Sequence, residues 1–184
     1  GGIQAIQTLW AGPWMLNITG YTPLQSATGL FWINITMLIS FLIWGYVLPK
    51  ISEYGISSIK LIKLGLPISY FSLFLIIYFG NNAGAFLFTL YIMTSIVISL
   101  TQPAIALNFS KNLAGKSLTS YNVFLFSGTF FIQWGIGLVI DICSNKGFDI
   151  VSSYRISFSV FLILCVLSYI FFIYLNKKKY ENKT

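Results

Sequence analysis

The 184-residue chain contains no histidine and only four carboxylates, Glu53, Asp141, Asp149 and Glu181. Metal centres, acid–base pairs and nucleophile triads are built from those residue types. Their scarcity argues against an enzyme, and neither a metal site nor a cofactor is expected. Charge of both signs is sparse, at 8% of residues, whereas an ordinary soluble domain carries about a quarter. The two cysteines, Cys143 and Cys165, make no disulfide framework and read as packing residues in apolar runs. The opening Gly1-Gly2-Ile3 has no initiator Met, basic n-region or cleavage site. It reads as a start cut inside a helix and not as a signal peptide.

What the chain has in quantity is hydrophobic sequence, 57% of all residues. This composition defines a membrane protein. Six apolar segments succeed one another: 1–18, 23–48, 59–79, 84–109, 117–142 and 156–175. About 20 residues cross a bilayer, so each is long enough, the first only just. The second would reach about 39 Å as a helix, more than the roughly 30 Å hydrocarbon core, and must tilt, bend or protrude. Breaker-rich connections between the segments are short, which makes neighbouring spans antiparallel. Thr22 before Pro23 predicts an N-cap with proline in the first turn, and Gly80 predicts a helix stop.

Six antiparallel crossings place alternate connections on one side of the bilayer, so the basic residues test the segmentation. Lys50, Lys60, Lys63, Lys111, Lys116, Lys177, Lys178, Lys179 and Lys183 all fall on one side, and only Lys146 and Arg155 on the other. The positive-inside rule makes the nine-residue side, with the C-terminus, cytoplasmic. The formal charge of +7 therefore belongs to topology. It does not indicate nucleic acid, which requires basic residues gathered on a soluble face.

Uncharged polar residues are unevenly distributed. Gln4 and Gln7 lie in segment one, Asn34 in two, Gln102 and Asn108 in four, and Asn122 and Gln133 in five, while segments three and six have no Asn or Gln. Those two segments are expected at the lipid-facing periphery, with the other four as walls of a polar space. Steps of three and four residues put Gln4, Gln7, Ala11 and Trp14 on one helix face, Ser95, Ser99 and Gln102 on another, and Asn122, Phe126, Thr129 and Gln133 on a third. The competing reading of any one such residue is a hydrogen bond between packed helices. Between Trp10 and Trp14, the stretch WAGPW reads as the bent outer end of the first span. Gly12-Pro13 allows the bend, and Trp14 serves as an interfacial anchor.

The order QTLWAGPWML, ITGYT, WGYVLPK, NFSKNLAGKSLTSYNVF and FIQWGIGLVID resembles the C-terminal half, helices seven to twelve, of a major facilitator superfamily transporter. The resemblance spans essentially the whole chain. It implies an all-α, polytopic transmembrane six-helix bundle, half of a twelve-helix fold, whose N-terminal six-helix half is absent from this chain. It also implies a carrier of a small-molecule solute, secondary active or facilitative, working by alternating access in the cell (inner) membrane. The family's signature loop would fall between Gly45 and Lys60. Gly45, Lys50 and Gly55 match it, but Pro49 stands where an acid belongs. Gly137 and Asp141 are similar to the end of the family's eleventh helix, and Trp10 would sit by the outer mouth of its cavity. Candidate cavity contacts are then Gln4, Gln7, Trp10, Asn34, Gln102, Asn122 and Gln133, all uncharged, with Gly45, Lys50, Gly55, Gly137 and Asp141 as helix-end or gating positions. The alternative is a non-transporting membrane subunit whose polar residues only join helices.

Overall fold

The computed structural model describes residues 1–181; Lys183, counted above with the basic side, lies outside them. The described residues form helices joined by short turns, with no strand among them. They assemble into six rods. The first is short and composite: α1 (Gly2–Ala5), a π turn (Ile6–Trp10) and α2 (Ala11–Asn17). The second, third, fifth and sixth are α3 (Pro23–Glu53), α4 (Ser58–Phe79), α7 (Lys111–Asn145) and α8 (Ile150–Glu181). The fourth consists of α5 (Ala85–Ser95), a 3-10 segment (Ile96–Leu100) and α6 (Thr101–Asn108). Five of the six, all but the first, are long and apolar enough to cross a bilayer. The chain is an all-helical integral membrane protein.

Local sequence explains the rod ends. Thr22 Oγ1 accepts from Gln25 N at 3.2 Å, and Thr22 N donates to Gln25 Oε1 at 2.8 Å, a reciprocal cap with Pro23 next in the chain. Gly80, at φ 52°, stops α4. The helices outrun the apolar segments at their ends. α3 continues through Pro49 to Glu53, α7 begins at Lys111 and ends at Asn145, and α8 begins at Ile150. Helices can extend past the hydrocarbon layer because water or headgroups tolerate their polar last turns, so hydropathy marks the layer and not the helix.

Each internal proline removes one backbone donor and leaves the carbonyl four residues earlier without its helical partner. For Pro67 that carbonyl belongs to Lys63, and Tyr169 of α8 donates its hydroxyl to it at 2.8 Å. A neighbouring helix thus satisfies the group that proline orphans, as a bilayer requires. Gly65, midway between Lys63 and Pro67, lets α4 approach the 3-10 segment: a Cβ there would stand 2.8 Å from Val97 Cγ1.

The connections gather alternately at two ends. At one, Thr19 Oγ1 donates to Ala83 O at 3.0 Å, Ala85 N donates to Tyr21 OH at 3.4 Å, and Arg155 lies against Gly80. At the other, the turn through Gly55 (φ 75°) shares a small cavity with Leu107 and Asn108 at the end of α6. Lys50, Lys60 and Lys63 flank this second end. Toward the first end the core is aromatic, with Trp14, Phe88, Tyr154 and Phe158 packed together. A smaller core of Ile62, Leu66, Val97 and Leu100 lies toward the other.

Two expectations are corrected. Trp14 is 0% exposed and no interfacial anchor: its ring lies 4.7 Å from Phe158, centroid to centroid, with Phe88 and Tyr154 edge-on at 6.0 and 6.1 Å. The third and sixth rods are not confined to the periphery. Ser69, Leu73 and Ile76 of α4 and Ser153 and Phe158 of α8 are fully buried, and both rods also line the cavity described below; the exposed faces of α3 and α7 carry large apolar residues such as Phe31, Trp32, Phe130 and Trp134. Absence of Asn and Gln reports only the absence of amides; hydroxyl and small apolar side chains fill an interior equally well.

Candidate functional site: a polar cavity between the rods

A cavity of about 770 Å³ opens among all six rods. Gln4, Gln7 and Thr8 line it from the first rod, Asn34, Met37 and Phe41 from α3, Ser95, Ser99 and Gln102 from the fourth rod, and Tyr121, Asn122 and Phe126 from α7. Leu66 and Tyr70 of α4, with Phe161, Leu164, Cys165 and Ser168 of α8, complete the floor. No side chain in the lining carries a formal charge at neutral pH. The site can offer amide and hydroxyl hydrogen bonds together with aromatic faces.

Two of its walls depart from α geometry at the depth of the cavity. In the first rod Ala11 N donates to Ile6 O, closing an i→i+5 turn around Gln7 and Thr8. In the fourth, the 3-10 segment carries Ser99, and Pro103 lies just beyond it. Pro103 has no donor for the Ser99 carbonyl, and Pro13 none for that of Leu9. Such interruptions recur at functional sites because they widen or tighten a helix where a ligand or a hinge needs it.

Hydrogen bonds hold the lining in place. Gln7 Nε2 donates to Asn34 Oδ1 at 3.2 Å and to Met37 Sδ at 3.0 Å, and Asn34 Nδ2 donates to Leu30 O at 2.7 Å. Thr8 Oγ1 donates to Gln4 O at 2.8 Å and accepts from Gln133 Nε2 at 3.0 Å. Trp10 Nε1 donates to Gln133 O at 3.2 Å. Behind the lining, Ser69 shares a buried hydrogen bond of 2.6 Å with the lining residue Ser95.

Of the seven cavity candidates read from the sequence, Gln4, Gln7, Asn34, Gln102 and Asn122 lie in the lining. Trp10 and Gln133 do not; they join the first rod to α7 just beyond it. Gly137 faces the Trp10 ring, with a Cβ position 3.4 Å from Cζ2. Gly45 and Gly55 have open space where a Cβ would stand. Lys50, exposed outside the cavity, donates to Tyr46 OH at 2.5 Å and stands 4.0 Å from that ring's centroid. Asp141 is exposed on α7. Thr8, Tyr70, Tyr121 and Ser168 do not stand out in the sequence. Thr8 stands one turn from Gln4 and Tyr121 beside Asn122, and those spacings are the available signal.

Outside the apolar layer, Asp149 precedes α8, and its Oδ2 accepts from Ser152 N at 3.1 Å. Hydrogen bonding from the Ser152 side chain, then from its backbone, holds this carboxyl below its ordinary pKa of 3.8.

Comparison with family models, curated proteins and solved structures finds no match to this chain. The class that fold and site define is an integral membrane helical bundle with a cavity of mixed apolar and uncharged polar lining.

Proposed function

We propose that this chain is one six-span bundle of a secondary carrier of the major facilitator type, which moves a small solute by rocking against a second bundle around a site near the bilayer midplane. The observation that carries the reading is the cavity: five of the candidate uncharged polar residues, from four rods, converge on one space, flanked by two walls interrupted at that depth. The broad apolar faces of α3 and α7 suit the partner bundle and lipid. In this topology the Lys-rich end and the C-terminus face the cytoplasm, and the membrane is the cell (inner) membrane.

A lining without charged side chains, in which apolar residues outnumber amides and hydroxyls, favours a neutral solute with both apolar and hydrogen-bonding parts, since this half supplies no countercharge for an ion. The test is uptake by the full-length protein in proteoliposomes across a panel of neutral and charged solutes, with and without a proton gradient. Saturable uptake of a neutral member that Gln7→Ala or Gln102→Ala weakens supports the proposal. No uptake of any solute, with the protein folded, sinks it.

A second reading, a non-transporting subunit, is favoured by the Gln133–Thr8 and Trp10–Gln133 bonds, in which polar groups join helices. It expects stable association with another membrane protein and no uptake.

A further inference from the structure

A second concavity, about 440 Å³, lies on the outer face of α8 and is unrelated to the polar cavity. Ser152, Arg155, Ile156, Ser159, Val160 and Ile163 line it from α8, with Ile77 of α4 and Phe148 of the preceding turn at its edges. These α8 positions recur at steps of three and four residues, so they form one stripe. The stripe changes character along its length: hydroxyl and guanidinium at the helix start, then aliphatic toward the middle of the span. From Arg155 to Ile163 it runs about 12 Å.

Arg155 is the only arginine in the chain. Its aliphatic stem lies across Gly80 at the end of α4, where even a Cβ would meet Arg155 Cδ at 3.6 Å, an ordinary contact. The nearest acid in sequence, Asp149, turns its Oδ2 to Ser152 N. Glu53 and Glu181 belong to the opposite end of the bundle, and Asp141, exposed on α7 toward the same end as Arg155, makes no ion pair with it. Nothing among the described residues pairs with the guanidinium, whose planar donors match a phosphate in two bonds. A cation where a span leaves the apolar layer, continuous with an aliphatic groove running inward, matches a phospholipid from headgroup to acyl chain.

We propose that this groove binds an anionic phospholipid, with the phosphate on Arg155 and one acyl chain along Ile156, Val160 and Ile163. An anionic headgroup is preferred because the ammonium of a zwitterionic lipid would sit beside the guanidinium and offset the attraction.

The test is native mass spectrometry of the delipidated full-length protein titrated with phosphatidylglycerol or phosphatidylcholine. Wild type retains phosphatidylglycerol preferentially. Arg155→Ala weakens that retention roughly tenfold, as losing charge-assisted hydrogen bonds implies, and leaves phosphatidylcholine unchanged. Val160→Trp, which fills the groove and keeps the charge, weakens retention as well, and free glycerol phosphate does not compete. An unchanged melting temperature in both variants excludes misfolding, and Arg155→Lys, folded if Arg155→Ala is not, shows a partial loss. Equal retention of phosphatidylglycerol by wild type and folded variants, equal retention of the two lipids by wild type, or displacement by free glycerol phosphate would overturn the proposal.

Discussion

Gln7 reaches across the cavity to Asn34: its amide nitrogen donates to Asn34 Oδ1 at 3.2 Å, joining the π turn of the first rod to the middle of α3. The Asn34 amide is held in turn by the Leu30 carbonyl. A solute entering the cavity would compete for this pair, and breaking it would release the interrupted wall from its neighbour. Gln7→Ala and Asn34→Ala are therefore expected to raise KM or abolish uptake, at a stability cost of order 1 kcal/mol each. Gln133→Ala should behave differently, costing similar stability through its bond to Thr8 while changing KM little. Uptake kinetics beside melting curves separate the two patterns.

Gly65 and Gly137 look alike in the sequence and differ in their surroundings. A Cβ at Gly65 meets Val97 at 2.8 Å, and a β-branched neighbour has little rotamer freedom with which to yield. Gly65→Ala should destabilise by about 1–3 kcal/mol. At Gly137 the same atom meets Trp10 at 3.4 Å, an ordinary contact, and gains helix propensity of up to about 1 kcal/mol. Gly137→Ala should be neutral or mildly stabilising. Thermal melts of the two purified variants decide it.

Tyr169→Phe leaves the Lys63 carbonyl without a donor and should cost about 1–3 kcal/mol. In a Pro67→Ala background the new backbone N–H can reach that carbonyl, so the same change should cost markedly less. A double-mutant cycle on melting data gives the coupling; its absence would mean that the hydroxyl contributes nothing to proline tolerance.

Asp149 supplies a pH signature. Its folded pKa lies below 3.8, so its contribution is whole above that value and is lost as pH falls through the folded pKa. Asp149→Asn keeps an oxygen for Ser152 N and has no charge to lose. The variant should show a flatter acid limb than wild type when melting temperature is tracked from neutral pH downward.

Several features of fold and cavity are legible in the sequence. Thr22-Pro23 and Gly80 mark helix ends where the structure has them, and amide placement locates five of the polar lining residues, fewer than the hydroxyls beside them. The first rod is not legible in the same way. Uniform steps put Gln4, Gln7, Ala11 and Trp14 on one face, yet the π turn accommodates one extra residue and rotates the succeeding helix by about 100°. Gln4 and Gln7 therefore reach the cavity, while Ala11 and Trp14 enter the aromatic core. The contribution of α4 and α8 to the floor is invisible for another reason: Tyr70, Cys165 and Ser168 are indistinguishable, by residue type, from ordinary packing residues.

The pairing of Tyr169 with the Lys63 carbonyl also bears on how such a sequence can change over generations. Proline at 67 costs least where a donor from another helix already stands ready, whereas a tyrosine at 169 needs no proline to be accommodated. The cheaper order of change is then hydroxyl first and proline second, and with the proline in place a loss of the hydroxyl carries the larger penalty.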